Sequence, residues 1–257
     1  MKRGICELPY LPLRLEASHQ SEMLSQVLFG DIFEVIENQN KWVKIRTLND
    51  DFVGYVETKT ISEFVENTKS VAQEYFVLDT ITEITKNNNI SFFIPAGAKI
   101  PTSALKNKRF SINKNKYKIS KLKIADKEDQ RSYLVRKAEE MLYAPYLWGG
   151  CTPWGIDCSG FTQLLYKFIG INIKRDAYQQ ATIGELVCFL EDAKPGDLAF
   201  FASEEGQIIH VGMIGNDKKI FHATTGCVRK DNIDYFGIFN VDIQRYTHQL
   251  NMIKSIL

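Results

Sequence analysis

The sequence predicts an α+β chain: a β-rich first half, then a domain in which a cysteine at a helix start faces histidines on strands. Three observations predict it. Through residue 124, short β-branched and aromatic runs alternate with Gly/Asn/Asp turn signals. Near residue 125 helical periodicity begins. In ADKEDQRSYLVRKAEEMLYA, Leu134, Ala138, Met141 and Leu142 fall on one face. Beyond Pro195-Gly196-Asp197 strand patterns return, and two of these strands carry His210 and His222.

In order, VLFGDIFEVIE, KWVKIRTL and FVGYVE give a small barrel or sandwich over residues 1–64, separated by turn signals at Gly30, Asn38-Gln39-Asn40 and Asn49-Asp50-Asp51. FVLDTITEI, ISFFIPAGAKIP, RFSI and KYKISKLKI give a second β segment over 65–125. Lys106 to Lys123 holds eight basic residues and no acid. In KYKISK the lysines alternate with Tyr117 and Ile119, which reads as a solvated strand face rather than an anion-binding one. Asp126 is the expected N-cap of the first helix, with Asp129 adding acid at the same end. The third segment, 126–257, continues with a glycine-rich loop, a helix from Cys158, a short helix in KRDAYQQATIG, the strand after Gly196, the two histidine strands and a β segment near 236–254.

Pro145, Gly149, Gly150, Pro153 and Gly155 keep the stretch before Cys158 irregular. Phe161, Leu164, Leu165 and Phe168 then form an apolar helical face that ends at Gly170. Cys158 therefore starts a helix, where unpaired N–H groups and the dipole favour a thiolate. A lone cysteine is ordinarily a small buried hydrophobe. What gives this one a second meaning is that two of only four histidines lie in the paired strands IIHVGMIG and KIFHA. His19 and His248 are expected at the surface without a role. Cys151, Cys158, His210 and His222 are metal-binding types. Six residues separate the two cysteines, outside the short Cys-x(2–4)-Cys spacing, so no metal and no cofactor is expected.

PYLWGG, DCSGF, KPGDLAFF, HVGMIG and IFHA, in that order, resemble the NlpC/P60 family of papain-like cysteine peptidases over residues 126–257. The segment SEMLSQVLFGDIFEVIENQNKWVKIRTLNDDFVGYV resembles a bacterial SH3-like (SH3b) domain, and 65–125 a weaker second copy. Cys158 to His210 is 52 residues and His210 to His222 is 12, a spacing the family uses. The resemblance implies Cys158 as nucleophile, His210 as base and His222 as the group that orients it, with the phenol of Tyr146 and the Cys158 N–H as oxyanion donors. It implies Asp157, Ser159 and Trp148 as substrate contacts, Asp176 beside the substrate amine, and Glu22 and Tyr55 of the first SH3b domain closing the site. Ala177 departs from the pattern, standing where related enzymes often carry serine. The implied reaction is cleavage of the isopeptide bond between γ-D-Glu and a diamino acid, diaminopimelate or lysine, in murein peptides with a free N-terminal L-Ala. That is a step of cell-wall recycling.

Composition fits such a soluble enzyme. The chain has 257 residues, 44% hydrophobic and 25% charged, and a net charge of +1 that suggests neither a nucleic-acid nor a membrane partner. Five cysteines at irregular spacing suit a reducing compartment. The N-terminus lacks the apolar core of a signal peptide, so the expected location is the cytoplasm, and the expected state a monomer. Two other readings stay open at this point: a peptidoglycan-binding adaptor with a dead catalytic domain, and an amidase or acyltransferase acting on another amide.

Overall fold

A computed structural model describes residues 2–64, 74–124 and 129–257. It divides into two compact units: 1–126 with Thr152–Trp154, and 127–151 with 155–257.

The first unit begins with strands β1 (Arg3–Ile5), β2 (Tyr10–Arg14), β3 (Met23–Leu28), β4 (Ile32–Gln39), β5 (Trp42–Thr47), β6 (Val53–Glu57) and β7 (Ser62–Glu63). They form one antiparallel sheet in the order β3-β2-β6-β5-β4-β1-β7. Alternate residues point inward, so Leu11, Leu13, Val43, Ile45 and Val56 meet Cys6, Val27 and Phe33 in one buried cluster. The rest of the unit comprises β8 (Glu74–Phe76), β9 (Ile81–Lys86), β10 (Ile90–Pro95), β11 (Lys99–Pro101), helix α1 (Ala104–Asn107), β12 (Arg109–Ile112) and β13 (Asn115–Ile119). These make a four-stranded sheet, β10-β9-β13-β12, and a two-stranded one, β11-β8.

The two β segments share a core. Ile5, Phe29 and Ile32 pack with Ile84, Ile94, Ile100, Phe110, Tyr117 and Ile119. Glu7, only 6% exposed, accepts a hydrogen bond from Asn115 (2.6 Å) and another from the Tyr117 phenol, and lies 3.4 Å from Lys86. A carboxylate buried this deeply stays charged because those partners outweigh the cost of burial. This continuity is why residues 1–64 and 65–125, two domains by sequence pattern, group as one unit. Lys116 and Lys118 are exposed and Tyr117 and Ile119 buried, the alternation of a solvated strand.

The second unit is built around a closed ring of strands. Helix α2 is Gln130–Glu140, and a two-stranded hairpin follows, β14 (Cys151–Thr152) and β15 (Gly155–Ile156), of which Thr152–Trp154 group with the first unit. Helices α3 (Cys158–Phe168) and α4 (Ala177–Gln180) come next, then β16 (Glu185–Val187), β17 (Leu198–Ala202), β18 (Ile208–Ile214), β19 (Lys219–Ala223), β20 (Val228–Asp234), β21 (Gly237–Asn240) and β22 (Arg245–Ser255). The order β16-β22-β17-β18-β19-β20-β21, with β21 also paired to β22, closes β17–β22 into a six-stranded barrel. Its interior holds Ala199, Phe201, Ile214, Ile220, Ile233, Ile238 and Ile253. Helix α3 packs against β18 and β19, and α2 against α3. Asp126, the expected cap of α2, lies outside the described residues. The cap is Asp129, which accepts from the Ser132 amide at 3.1 Å. Among the described residues no helix is long and apolar enough to cross a membrane.

Candidate active site

Cys158 is the first residue of α3, and Asp157 is its N-cap. Asp157 is almost fully committed to holding this helix end. Its carboxylate accepts from the amides of Gly160 (2.7 Å) and Gly149 (2.8 Å) and from both Arg175 nitrogens (3.0 and 2.5 Å). Arg175 also donates to the Ser159 hydroxyl at 2.8 Å. All three side chains are buried, with Arg175 2% exposed. The side chains of Asp157 and Ser159, expected against substrate, are thus turned into the fold. Arg175 is the structural ion-pair partner that makes a buried Asp157 tolerable. Gly160 is required here, because a Cβ would collide with the carbonyl oxygen of Gly150.

The Cys158 sulfur lies against β18, where the Val211 amide hydrogen-bonds to it. Burial first, and the Asp157 charge second, push its thiol up to about 11, although the amides of Val211 and Ser159 and the Arg175 charge pull the other way. The thiolate bias expected from the helix start is therefore overturned in the resting state. Desolvation of a sulfur only 7% exposed outweighs the helix-end amides. Tyr146 sits close enough to Cys158 and Asp157 to feel both charges. Burial and those charges push its phenol up to about 12, so it keeps its proton.

His210 precedes Val211 on β18. Strand alternation puts His210, Gly212 and Ile214 on one face, and Ile214 belongs to the barrel interior. The same parity groups His222 with Ile220 on β19 and Asp231 with Ile233 on β20. The β17–β18 register slips between Phe201 and Ala202, making Ile209 an extra residue beside His210. Such a bulge bends the strand and re-aims its neighbours. His210 Nε2 is 2.9 Å from His222 Nδ1, and His222 Nε2 is 3.1 Å from Asp231 Oδ2. Arg229 holds the same carboxylate at 3.1 and 3.3 Å and also reaches Asp242 at 2.6 Å. His210, His222 and Asp231 are all buried. Burial, then the neighbouring His222 and His248, hold His210 well below the ordinary imidazole range.

His248, expected at the surface, is half-buried and stacked on His210, with ring centroids 4.1 Å apart and planes 20° from parallel. It reaches this place because β22 closes the barrel and because Thr247 bulges out of the β21–β22 register. The ring nitrogens of His210, His222 and His248 lie within 4.8 Å of one another.

Trp148 is 60% exposed, so it is no core aromatic. Asp176 begins α4, where its amide donates to Gln179 Oε1 at 3.3 Å. Ala177 is buried. In the first unit Glu22 is exposed, and its carbonyl accepts from the Leu15 amide. Tyr55 pairs with Lys44 and Arg14 across β5 and β2, and Lys44 Nζ sits 5.6 Å above its ring. Asp231 and His248 were not anticipated from sequence. Asp231 sits in the polar stretch VRKDNID, and only its two-residue spacing from Ile233 hints at an inward position.

The NlpC/P60 family matches residues 143–249, and the bacterial dipeptidyl-peptidase SH3 domain matches 13–61. A γ-D-glutamyl-L-lysine dipeptidyl-peptidase of Bacillus subtilis is 32% identical over 233 residues, covering 83% of this chain and 76% of that protein. The chain belongs to the NlpC/P60 family of cysteine peptidases. A γ-D-glutamyl-L-lysine dipeptidyl-peptidase of Bacillus cereus is 39% identical over 92 residues, 35% of this chain and 27% of that protein. The crystal structure of an NlpC/P60 family protein from Bacillus cereus superposes with a TM-score of 0.80 at 17% identity, covering 98% of this chain and 99% of that one; it shares the fold. For an NlpC/P60 peptidase, a thiol at a helix end and an imidazole on the adjoining strand are the parts acyl transfer needs.

Proposed function

We propose that this NlpC/P60 peptidase cleaves the bond between γ-D-Glu and an L-diamino acid, diaminopimelate or lysine, in murein peptides carrying a free N-terminal L-Ala, and that it serves cell-wall recycling in the cytoplasm. The observation that carries the reading is the hydrogen-bonded row His210–His222 beside the strand amide that meets the Cys158 sulfur. Likeness over most of the chain to a relative named for γ-D-glutamyl-L-lysine cleavage supports the choice of bond.

In the proposed reaction Cys158 Sγ attacks the γ-carbonyl carbon as its proton passes to His210. The oxygen's negative charge is taken by the Cys158 amide and the Tyr146 phenol, which keeps its proton for that purpose. The C–N bond then breaks, the proton goes from His210 to the leaving amine, and water hydrolyses the thioester. A neutral thiol and a neutral imidazole at rest mean that proton transfer accompanies attack rather than preceding it. Asp157 and Ser159 act by fixing the helix end, Trp148 offers an exposed face to substrate, and Asp176 selects the free amine.

The test is incubation with L-Ala-γ-D-Glu-diaminopimelate, its lysine counterpart and the N-acetylated form of each, following release of L-Ala-D-Glu. Turnover of the free peptides, at least about 100-fold slower turnover of the acetylated ones, and loss of all turnover in Cys158→Ala are expected. Equal turnover of acetylated peptide removes the amine selection. Persistent activity in Cys158→Ala removes the nucleophile.

A further inference from the structure

We propose that Asp231 is a positioning residue for this reaction: through His222 it fixes which ring nitrogen of His210 is free to take the thiol proton, and it supplies the counter-charge once that proton has moved. The inference rests on the reading of Cys158 and His210 given above.

Donors and acceptors alternate along one row of atoms, Asp231–His222–His210. Asp231 is 1% exposed, and its two oxygens receive N–H groups of Arg229. Burial alone raises a carboxyl, but the hydrogen bonds from His222 and Arg229 outweigh it and hold this one below its usual range. An ionised carboxylate only accepts, so the nitrogen facing it, His222 Nε2, must carry hydrogen. A neutral His222 then presents Nδ1 as an acceptor. His210 Nε2, 2.9 Å away, must be the donor. Neutral His210 is left with a bare Nδ1, and a bare nitrogen is what a general base requires. Without Asp231 both rings are free to exchange tautomers, and the opposite arrangement leaves His210 with hydrogen on Nδ1 and no capacity to accept there.

The same row serves after proton transfer. The charge that forms on His210 is relayed by hydrogen bonds to a fixed, buried carboxylate, where such interactions are strong. Arg229 does not cancel Asp231 fully, because it is shared with Asp242 on the exposed side.

Two variants and one spectrum test this. Asp231→Ala removes the acceptor; kcat on the free peptide is expected to fall about 100-fold with KM within threefold. Asp231→Asn keeps an acceptor oxygen but loses the charge, and a fall of about tenfold is expected. The imidazole 15N–1H spectrum of the wild type should show His210 and His222 each protonated on Nε2, and in Asp231→Ala this single pattern should give way to mixed tautomers. Wild-type kcat in Asp231→Asn, or an unchanged tautomer pattern in Asp231→Ala, overturns the inference. Should Asp231→Ala fail to fold, the wild-type spectrum and Asp231→Asn decide it. Because the spectrum is read without substrate, it stands or falls independently of Cys158→Ala, whose retained activity would instead sink the reading beneath it.

Discussion

Each imidazole in the barrel owes its behaviour to what stands beside it. His248 illustrates this. Burial, and then His222, bring it down to about 4, with Asp231 opposing, so it is neutral when it stacks on His210. A neutral ring face welcomes the imidazolium that His210 becomes, whereas a charged one would repel it. Its Nδ1 is 2.9 Å from Thr247 Oγ1 on its own strand, and Phe201 packs edge-on against it. Aromatic pairs of this kind contribute on the order of 0.5–1.5 kcal/mol, about two- to tenfold in rate if all of it orients His210. His248→Ala is therefore expected to lower kcat by that factor, and His248→Phe to restore it. Steady-state kinetics of the two variants check this; equal losses in both would show that stacking is not what matters.

The elements bring these residues together through close approaches that only glycine permits. At Gly212 on β18 a Cβ would lie 2.7 Å from Ile220 Cδ1 and 3.0 Å from His222 Cβ. Ile220 can turn aside, but the His222 Cβ moves only if β19 moves. Gly212→Ala should therefore lengthen the His210–His222 contact, cutting kcat at least about tenfold and costing about 1–3 kcal/mol of stability, measurable as kinetics and a lowered Tm. Much of this framework was legible in the sequence. The apolar runs around His210 and His222, the Asn216 turn between them, the Pro195-Gly196 turn and the amphipathic face after Cys158 each obey a local rule. What was not legible depends on distant partners. VRKDNID reads as polar, which hides strand β20 and its Asp231. His248 looked like a surface residue until β22 closed the ring onto β21. The thiol's ionisation is not legible locally: the helix end is a local feature, whereas desolvation is set by everything packed around the sulfur.

Over the whole molecule, the same buried histidines tie stability to pH. His210 and His248 both lie below the ordinary imidazole value of 6.5, chiefly through burial. As pH falls, the unfolded chain takes up protons on these residues first, and the folded one resists. Their contribution to stability is thus complete above about pH 6.5 and declines as pH drops, down to about 4 for His248 and further for His210. Asp231 acts in a lower window. Its carboxyl is depressed, so its contribution is lost only as pH falls beneath the ordinary aspartate range. Hydrogen exchange reads this within the second unit alone. Amides of β18 and β22 should lose protection steadily from pH 6.5 to 4, after correction for intrinsic rates. In His248→Phe, which has nothing to titrate there, the decline should be shallower by the share of one histidine. An identical slope in wild type and variant would mean that His248 is as protonatable in the fold as in the unfolded chain, and the neutral stack on His210 would have no basis.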